Sequence, residues 1–168
     1  MKGSCLSSNS SDPATDAEVP QPRELNQFLT YRVVRVHHAL NAQAVAVLDR
    51  VAGITLPQWR VLAMVGSGMA TTARDIAKKS IIDPAMISRT VHGLEEAGHM
   101  TTSRPDSDRR VLEITLTETG REVYERILPH MQARQQSLLS ALEPSERDVI
   151  YKILDKLEVA AEQREFSE

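Results

Sequence analysis

The chain has 168 residues and a formal net charge of −3, and 41% of its residues are hydrophobic while 26% are charged. These values are typical of a soluble globular protein with one domain and a substantial core. Aromatic residues make up 4% of the chain, which is too few for the base-stacking platforms of single-strand or RNA binders. The chain contains no apolar run long enough to cross a bilayer, which argues against a membrane protein.

Residues 1–22 are rich in Ser, Pro and Asp and poor in large apolar side chains. Such a segment cannot bury enough surface to offset its ordering entropy, so we expect a disordered tail. It has no hydrophobic signal-peptide core, and we therefore expect a cytoplasmic protein. The single cysteine, Cys5, excludes an intramolecular disulfide.

A long helix is predicted from about Arg23 to Gly53. Its apolar residues recur every three or four positions, at Leu29, Val33, Val36, Leu40, Ala44, Val47 and Val51. Val34, Val45 and Leu48 lie off this stripe, so the helix is apolar on more than one side. In a small protein this pattern indicates packing against a second subunit as well as against the chain's own core.

The middle of the chain predicts another helix after Thr55 and then two short helices, at about 73–79 and 84–97, separated by a four-residue turn. Thr72 and Asp83 are suitable N-caps, and Pro84 suits the first position of the second short helix. The inner face of that helix is formed by Ile87, Val91 and Leu94.

A hairpin is predicted next, with a short strand at Met100 to Arg104 and a second strand in which Leu112, Ile114 and Leu116 alternate with polar residues. Residues 105–110 form the turn, and Arg104, Arg109 and Arg110 surround its tip. Two further helices follow from Thr117 onward. Pro129 predicts a kink in the first of these helices or a break near residue 128.

Two short helices followed by a charged hairpin are the arrangement of a helix-turn-helix with a wing, in which the second helix enters the DNA major groove. The outer face of that helix carries Ala85, Ser88, Arg89 and His92, which are small or hydrogen-bonding side chains. Arg can grip guanine with two hydrogen bonds. The predicted DNA-binding residues of the two helices are Arg74, Pro84, Ala85, Ser88, Arg89 and His92. A solvated helix face is the alternative interpretation.

The local charge limits how strongly this region attracts DNA. Residues 74–110 contain seven basic and six acidic side chains, which leaves a net charge of +1. Binding therefore has to depend on the arrangement of the charges, and several phosphate contacts would make it sensitive to salt.

The stretches "ARDIAKKSIIDPAMISRTVHGLEEAGHM" and "RPDSDRRVLEITLTETG" resemble the MarR family of transcriptional regulators. The resemblance covers about residues 23–165. It implies a mainly α fold with a small β-hairpin, in which residues 55–117 are the winged helix-turn-helix core and residues 23–53 and 118–165 are dimerisation helices within a single domain, 23–168.

The same resemblance implies a homodimer that binds a palindromic double-stranded DNA operator, usually as a repressor released by a small effector. It implies neither an enzyme nor a cofactor. Arg109 matches the family arginine that enters the minor groove, where a narrow A·T-rich groove has enhanced negative potential. Arg104 and Arg110 could either contact phosphates or pair with Asp106 and Asp108.

Tyr31, Arg35 and His38 share one face of the first helix and could meet an anionic aromatic effector, since family effector pockets lie beside the dimerisation helices. A polar stripe at a subunit contact is the alternative. His37, His38 and His130 lack metal-ligand spacing, so no metal site is predicted. The alternative function for the whole chain is a helical dimeric ligand- or metal-sensing module that no longer binds DNA.

Overall fold

The computed structural model describes residues 21–80, 82–104 and 111–162 of the chain. The described elements are a 3-10 helix at Leu25–Gln27, α1 (Leu29–Val51), α2 (Leu56–Gly66), α3 (Ala73–Lys79), α4 (Pro84–Glu96), β1 (Met100–Ser103), β2 (Glu113–Leu116), α5 (Glu118–Ser140) and α6 (Pro144–Glu162). The fold is therefore mainly α with a two-stranded sheet, as predicted. The described residues divide into two units between Ala39 and Leu40, inside α1.

The first long helix begins later than predicted. The Gln27 side chain accepts hydrogen bonds from the backbone N–H groups of Arg23 and Glu24, at 2.9 and 3.3 Å. These bonds close the 3-10 helix, and the extended residue Phe28 separates it from α1. A local side-chain bond thus competes with the helical pattern at this end of the chain.

The core of the second unit is formed by the inner faces of its helices and of the hairpin. Its most deeply buried side chains are Leu48, Val61, Leu62, Ile76, Ile87, Leu94, Met100, Ile114 and Ile127. Trp59 of α2 stacks on Tyr124 of α5, with ring centroids 6.0 Å apart. The apolar faces that the periodicity predicts for the central helices therefore pack into one shared core.

Helix α5 runs from Glu118 to Ser140 without a break at Pro129. Proline removes one helical hydrogen bond, but Val123 and Ile127 are buried in the turns before it. Tertiary packing of this face outweighs the local loss, so of the two predicted outcomes, a kink or a break near residue 128, the break does not occur.

Strands β1 and β2 pair antiparallel, with Met100 opposite Leu116 and Thr102 opposite Ile114. The Ile114 N–H also donates to the Thr71 carbonyl oxygen at 2.8 Å, beside an isolated bridge between Thr72 and Glu113. The hairpin is therefore joined by backbone bonds to the segment that leads into α3.

Candidate nucleic-acid interface

Helices α3 and α4 are set by two side-chain caps. Thr72 Oγ1 accepts from the Asp75 N–H at 3.0 Å and begins α3. Asp83 Oδ1 accepts from the N–H groups of Ala85 and Met86, at 2.9 and 3.3 Å, and begins α4. Each cap satisfies N–H groups that a helix leaves without partners, so both helices start where the sequence predicts.

The inner face of α4 fixes which side of the helix is turned outward. Ile87, Val91 and Leu94 are buried, as is the polar Thr90. The predicted DNA-reading residues lie on the other side, and Pro84, Ala85, Ser88, Arg89 and His92 are all exposed. Their spacing of three or four residues places them on successive turns of one accessible face.

Two acidic residues accompany this face and were not predicted as part of the site. Glu96 Oε1 lies 3.5 Å from His92 Nε2, and both side chains are about 70% exposed. Glu95 is half-buried and accepts a hydrogen bond from Thr102 Oγ1 at 2.6 Å. The i,i+4 spacing of His92 and Glu96 was a readable sequence signal, whereas the pairing of Glu95 with Thr102 depends on how β1 packs against α4.

A groove of about 500 Å³ runs between α3, α4 and the start of the second hairpin strand. The predicted residues Arg74, Pro84, Ser88 and His92 line it together with Glu95 and Leu112. Arg74 is thus brought beside the outer face of α4, although the two helices are separate in sequence. Apolar side chains from α3 and α4 complete its walls.

The hairpin carries one described arginine of the predicted tip. Arg104 is exposed and follows directly after the end of β1. Arg109 and Arg110, with Asp106 and Asp108, lie outside the described residues, so their expected contacts stay predictions.

The predicted effector residues lie on the part of α1 that belongs to the first unit. Tyr31 is half-buried, while Arg35 and His38 are exposed. A groove of about 300 Å³ on this segment is lined by Arg32, Arg35, Val36 and Ala39. The groove includes Arg35 but neither Tyr31 nor His38, and Arg32 is a lining residue that the sequence analysis did not select.

Two further features are lacking in the described parts of the chain. No helix within them is both long and apolar enough to cross a membrane. In the same ranges, no group of three or more His, Cys, Asp or Glu side chains is placed to hold a metal ion.

Comparison with known proteins identifies this arrangement. The MarR family model matches residues 54–112. An uncharacterised HTH-type transcriptional regulator of Bacillus subtilis is 30% identical over 86 residues, which are 51% of this chain and 62% of that relative. The chain therefore spans somewhat less than two thirds of that relative's length.

Two solved structures have the same fold at 26% sequence identity. A MarR/EmrR family regulator from Acinetobacter gives a TM-score of 0.77, over 84% of this chain and 99% of its own. BpsR of Bordetella bronchiseptica is a protein whose DNA binding is regulated by 6-hydroxynicotinic acid. It gives a TM-score of 0.62, over 76% of this chain and 98% of its own. Residues 54–112 thus match the MarR family, and the described fold is that of MarR family winged helix-turn-helix transcriptional regulators, which are not enzymes.

Proposed function

We propose that this regulator is a cytoplasmic homodimer that binds a palindromic double-stranded DNA operator, represses transcription there, and releases the DNA when a small effector binds. The observation that carries the proposal is the exposed outer face of α4, where Ala85, Ser88, Arg89 and His92 follow one another on successive turns. The hairpin that emerges beside it supplies the second contact.

Helix α4 is suited to the major groove, which admits an α-helix and displays a distinct hydrogen-bonding pattern for each base pair. Arg89 would grip a guanine, and the small side chains of Ala85 and Ser88 would permit close approach. Pro84 and Ala85 lie in the first turn of α4, where Asp83 already accepts from the N–H groups of Ala85 and Met86, so they would contribute close approach rather than a phosphate site. Arg74, across the groove, would contact the DNA backbone.

The hairpin would reach the neighbouring minor groove. We expect Arg109 to enter it, because a narrow A·T-rich minor groove attracts a guanidinium group. For Arg104 and Arg110, phosphate contact and pairing with Asp106 or Asp108 remain alternatives. Substituting each arginine by alanine and measuring the salt dependence of binding separates them, because only a phosphate contact contributes to the slope.

A second copy of the chain would explain the apolar side chains that α6 leaves in contact with water. Val149, Ile153 and Leu154 are between 45% and 48% exposed, and Val149 and Ile153 line a groove of about 430 Å³. Exposed apolar clusters of this kind mark interaction surfaces. A two-fold dimer would present two α4 helices to half-sites about one helical turn apart, roughly 34–36 Å.

An anionic aromatic effector would suit the cationic side of α1. Arg32 and Arg35 line its groove, and Tyr31 and His38 lie nearby in the sequence. The 6-hydroxynicotinic acid that regulates BpsR is a ligand of this chemical class. Calorimetric titration of the chain with a panel of aromatic carboxylates tests this part of the proposal, and Arg35→Ala should weaken binding of any acid that the wild type takes up.

DNA binding is tested by selecting sites from a random duplex library at low salt and footprinting the products. We expect a palindrome with two protected half-sites about one helical turn apart. A reporter gene placed behind this site should be silenced by the chain. Failure to enrich any sequence would overturn the proposal.

The near-neutral charge of residues 74–110 favours one other function, that of a helical sensor that has lost DNA binding. A chain of that kind would bind an effector in the calorimeter while the selection stayed empty. The exposed Ser88 and Arg89 favour the DNA-binding function instead, because a protein that does not bind DNA has no need of these side chains on the outer face of α4.

A further inference from the structure

Glu95 joins the C-terminal half of α4 to the hairpin. The Thr102 hydroxyl donates to Glu95 Oε1 at 2.6 Å, and both side chains are half-buried. This distance lies in the range of hydroxyl-to-carboxylate hydrogen bonds, about 2.5–2.7 Å, which are stronger than bonds between neutral groups. Glu95 is therefore engaged inside the protein, although it stands on a helix whose outer face is proposed to meet DNA.

Glu95 lies close to the outer face of α4 that is proposed to meet DNA. Ser88 precedes Glu95 by seven residues, nearly two helical turns, so the two share one flank of α4, and both line the groove beside α3. On the other side of the bond, Thr102 lies two residues before Arg104. The bond thus connects the flank of α4 that carries Ser88, where close approach to DNA is proposed, to the strand that ends directly before Arg104.

One backbone bond of the hairpin holds its second strand to a different segment. The Ile114 N–H binds the carbonyl oxygen of Thr71, just before α3. That bond fixes the second strand relative to the start of α3. The His99 N–H donates to the Leu94 carbonyl oxygen at 2.8 Å and closes the link between α4 and β1, and beyond this link the angle between the two elements depends on side-chain contacts. Met100 and Leu94 pack these two elements together inside the core, where apolar contact is not directional. A directional bond at Thr102 restricts the rotation that such packing allows.

We infer that Glu95 is a positioning residue for DNA recognition: its bond to Thr102 holds α4 and the hairpin at the angle at which both reach their grooves together. The inference rests on the proposed function, since it concerns the same DNA. Without the bond, α4 and the hairpin would each stay folded. When α4 bound the major groove, the hairpin would no longer be aligned with the minor groove.

The test uses substitutions that remove or keep the bond at each end. Thr102→Val and Glu95→Ala remove it, and Thr102→Ser and Glu95→Gln keep a donor or an acceptor in place. Thr101→Val is the matched control, because the Thr101 hydroxyl lies 3.0 Å from that of Thr115, across the hairpin and away from α4. Fluorescence anisotropy measures binding to the selected operator and to a duplex whose A·T pairs under the hairpin are replaced by G·C.

We expect Thr102→Val and Glu95→Ala each to weaken operator binding roughly tenfold, about 1.4 kcal/mol, and to lose most of the preference for the A·T flank. We expect operator affinity and flank preference near those of the wild type in Thr102→Ser, Glu95→Gln and Thr101→Val. The double variant should be no weaker than either single one, because both substitutions remove the same bond.

Wild-type affinity and flank preference in Thr102→Val, or an equal loss in Thr101→Val, would overturn the inference. Glu95→Asp keeps the charge but cannot reach as far, and it decides the matter if Thr102→Val does not fold. Weakened binding by a folded Glu95→Asp chain supports positioning, and unchanged binding refutes it. A wild-type chain that binds no duplex overturns the proposed function, and this inference with it.

Discussion

Arg89 and Arg74 lie on neighbouring helices, and the structure gives them different surroundings. Arg89 is on the outer face of α4, between Ala85 and His92, whereas Arg74 lines the groove from α3. A side chain on the reading face should recognise a base, and a cation at its edge should contact phosphate regardless of sequence. Replacing Arg89 should therefore change the sequence preference of binding, and replacing Arg74 should change its salt dependence.

We predict that Arg89→Ala weakens operator binding by about 1–3 kcal/mol and relaxes the preference at one base pair of each half-site. Arg74→Ala should weaken binding to operator and to scrambled DNA about equally. It should also reduce the steepness with which affinity falls as salt rises, by about one unit of log–log slope per site. Anisotropy titrations over a range of salt concentrations measure both effects. Arg126→Ala, at an exposed position of α5, is the control. Equal sequence preference in Arg89→Ala and the wild type would contradict the base-reading role.

Two helical glycines predict opposite effects of the same substitution on stability. A Cβ at Gly120 would overlap the backbone carbonyl oxygen of His99, because the start of α5 lies close against the link between α4 and β1. A Cβ at Gly93 meets no atom nearer than the Gln58 Nε2 at 3.9 Å. Gly120 is therefore required by a close backbone approach, while Gly93 is not.

Gly120→Ala should lower the free energy of unfolding by about 1–3 kcal/mol, the usual range for overpacking a core. Gly93→Ala should raise it by up to about 1 kcal/mol, because alanine is the better helix former. Urea denaturation of the two variants beside the wild type measures both changes. Destabilisation by Gly93→Ala would show that this part of α4 needs space that the structure does not indicate.

At the scale of elements, α4 depends on its cap as well as on its buried face. Asp83 satisfies two N–H groups at the end of the helix that carries Pro84 and Ala85. Asp83→Ala should lower the free energy of unfolding by about 1 kcal/mol, and Asp83→Asn, which still accepts these bonds, by much less. Chemical denaturation measures the difference. Equal losses in the two variants would indicate that the charge of Asp83, and not its hydrogen bonds, stabilises α4.

Helix α6 predicts how the whole molecule assembles. Ile153 and Leu154 are 45% and 48% exposed, whereas Val159, at 64%, lies on another side of the helix. Sedimentation of the wild type should give twice the 18.7 kDa mass of the chain. Ile153→Glu should shift it toward the monomer and weaken operator binding, because a single half-site is then engaged at a time. Val159→Glu is the matched control, and a fully dimeric Ile153→Glu chain would exclude this face of α6 from the interface.

Much of the fold was predictable because its signals are local. Thr72 and Asp83 cap helices within three residues of themselves, and Ile87, Val91 and Leu94 repeat at the helical period. The same period placed Ala85, Ser88, Arg89 and His92 together on the opposite, exposed face. Their contact with DNA stays a prediction, as do the roles of Arg109 and Arg110.

The amino-acid sequence by itself determined the two short helices α3 and α4, the two strands, which face of α4 is buried, and the resemblance to the MarR regulators. Only the tertiary structure decided that α5 continues past Pro129, that Arg32 lines the groove with Arg35, and that Glu95 bonds Thr102. The physical reason is range. Caps and periodicity act within one or two turns, while the bond at Glu95 exists because the chain turns back at Gly98, with φ at 73°, and lays β1 beside α4.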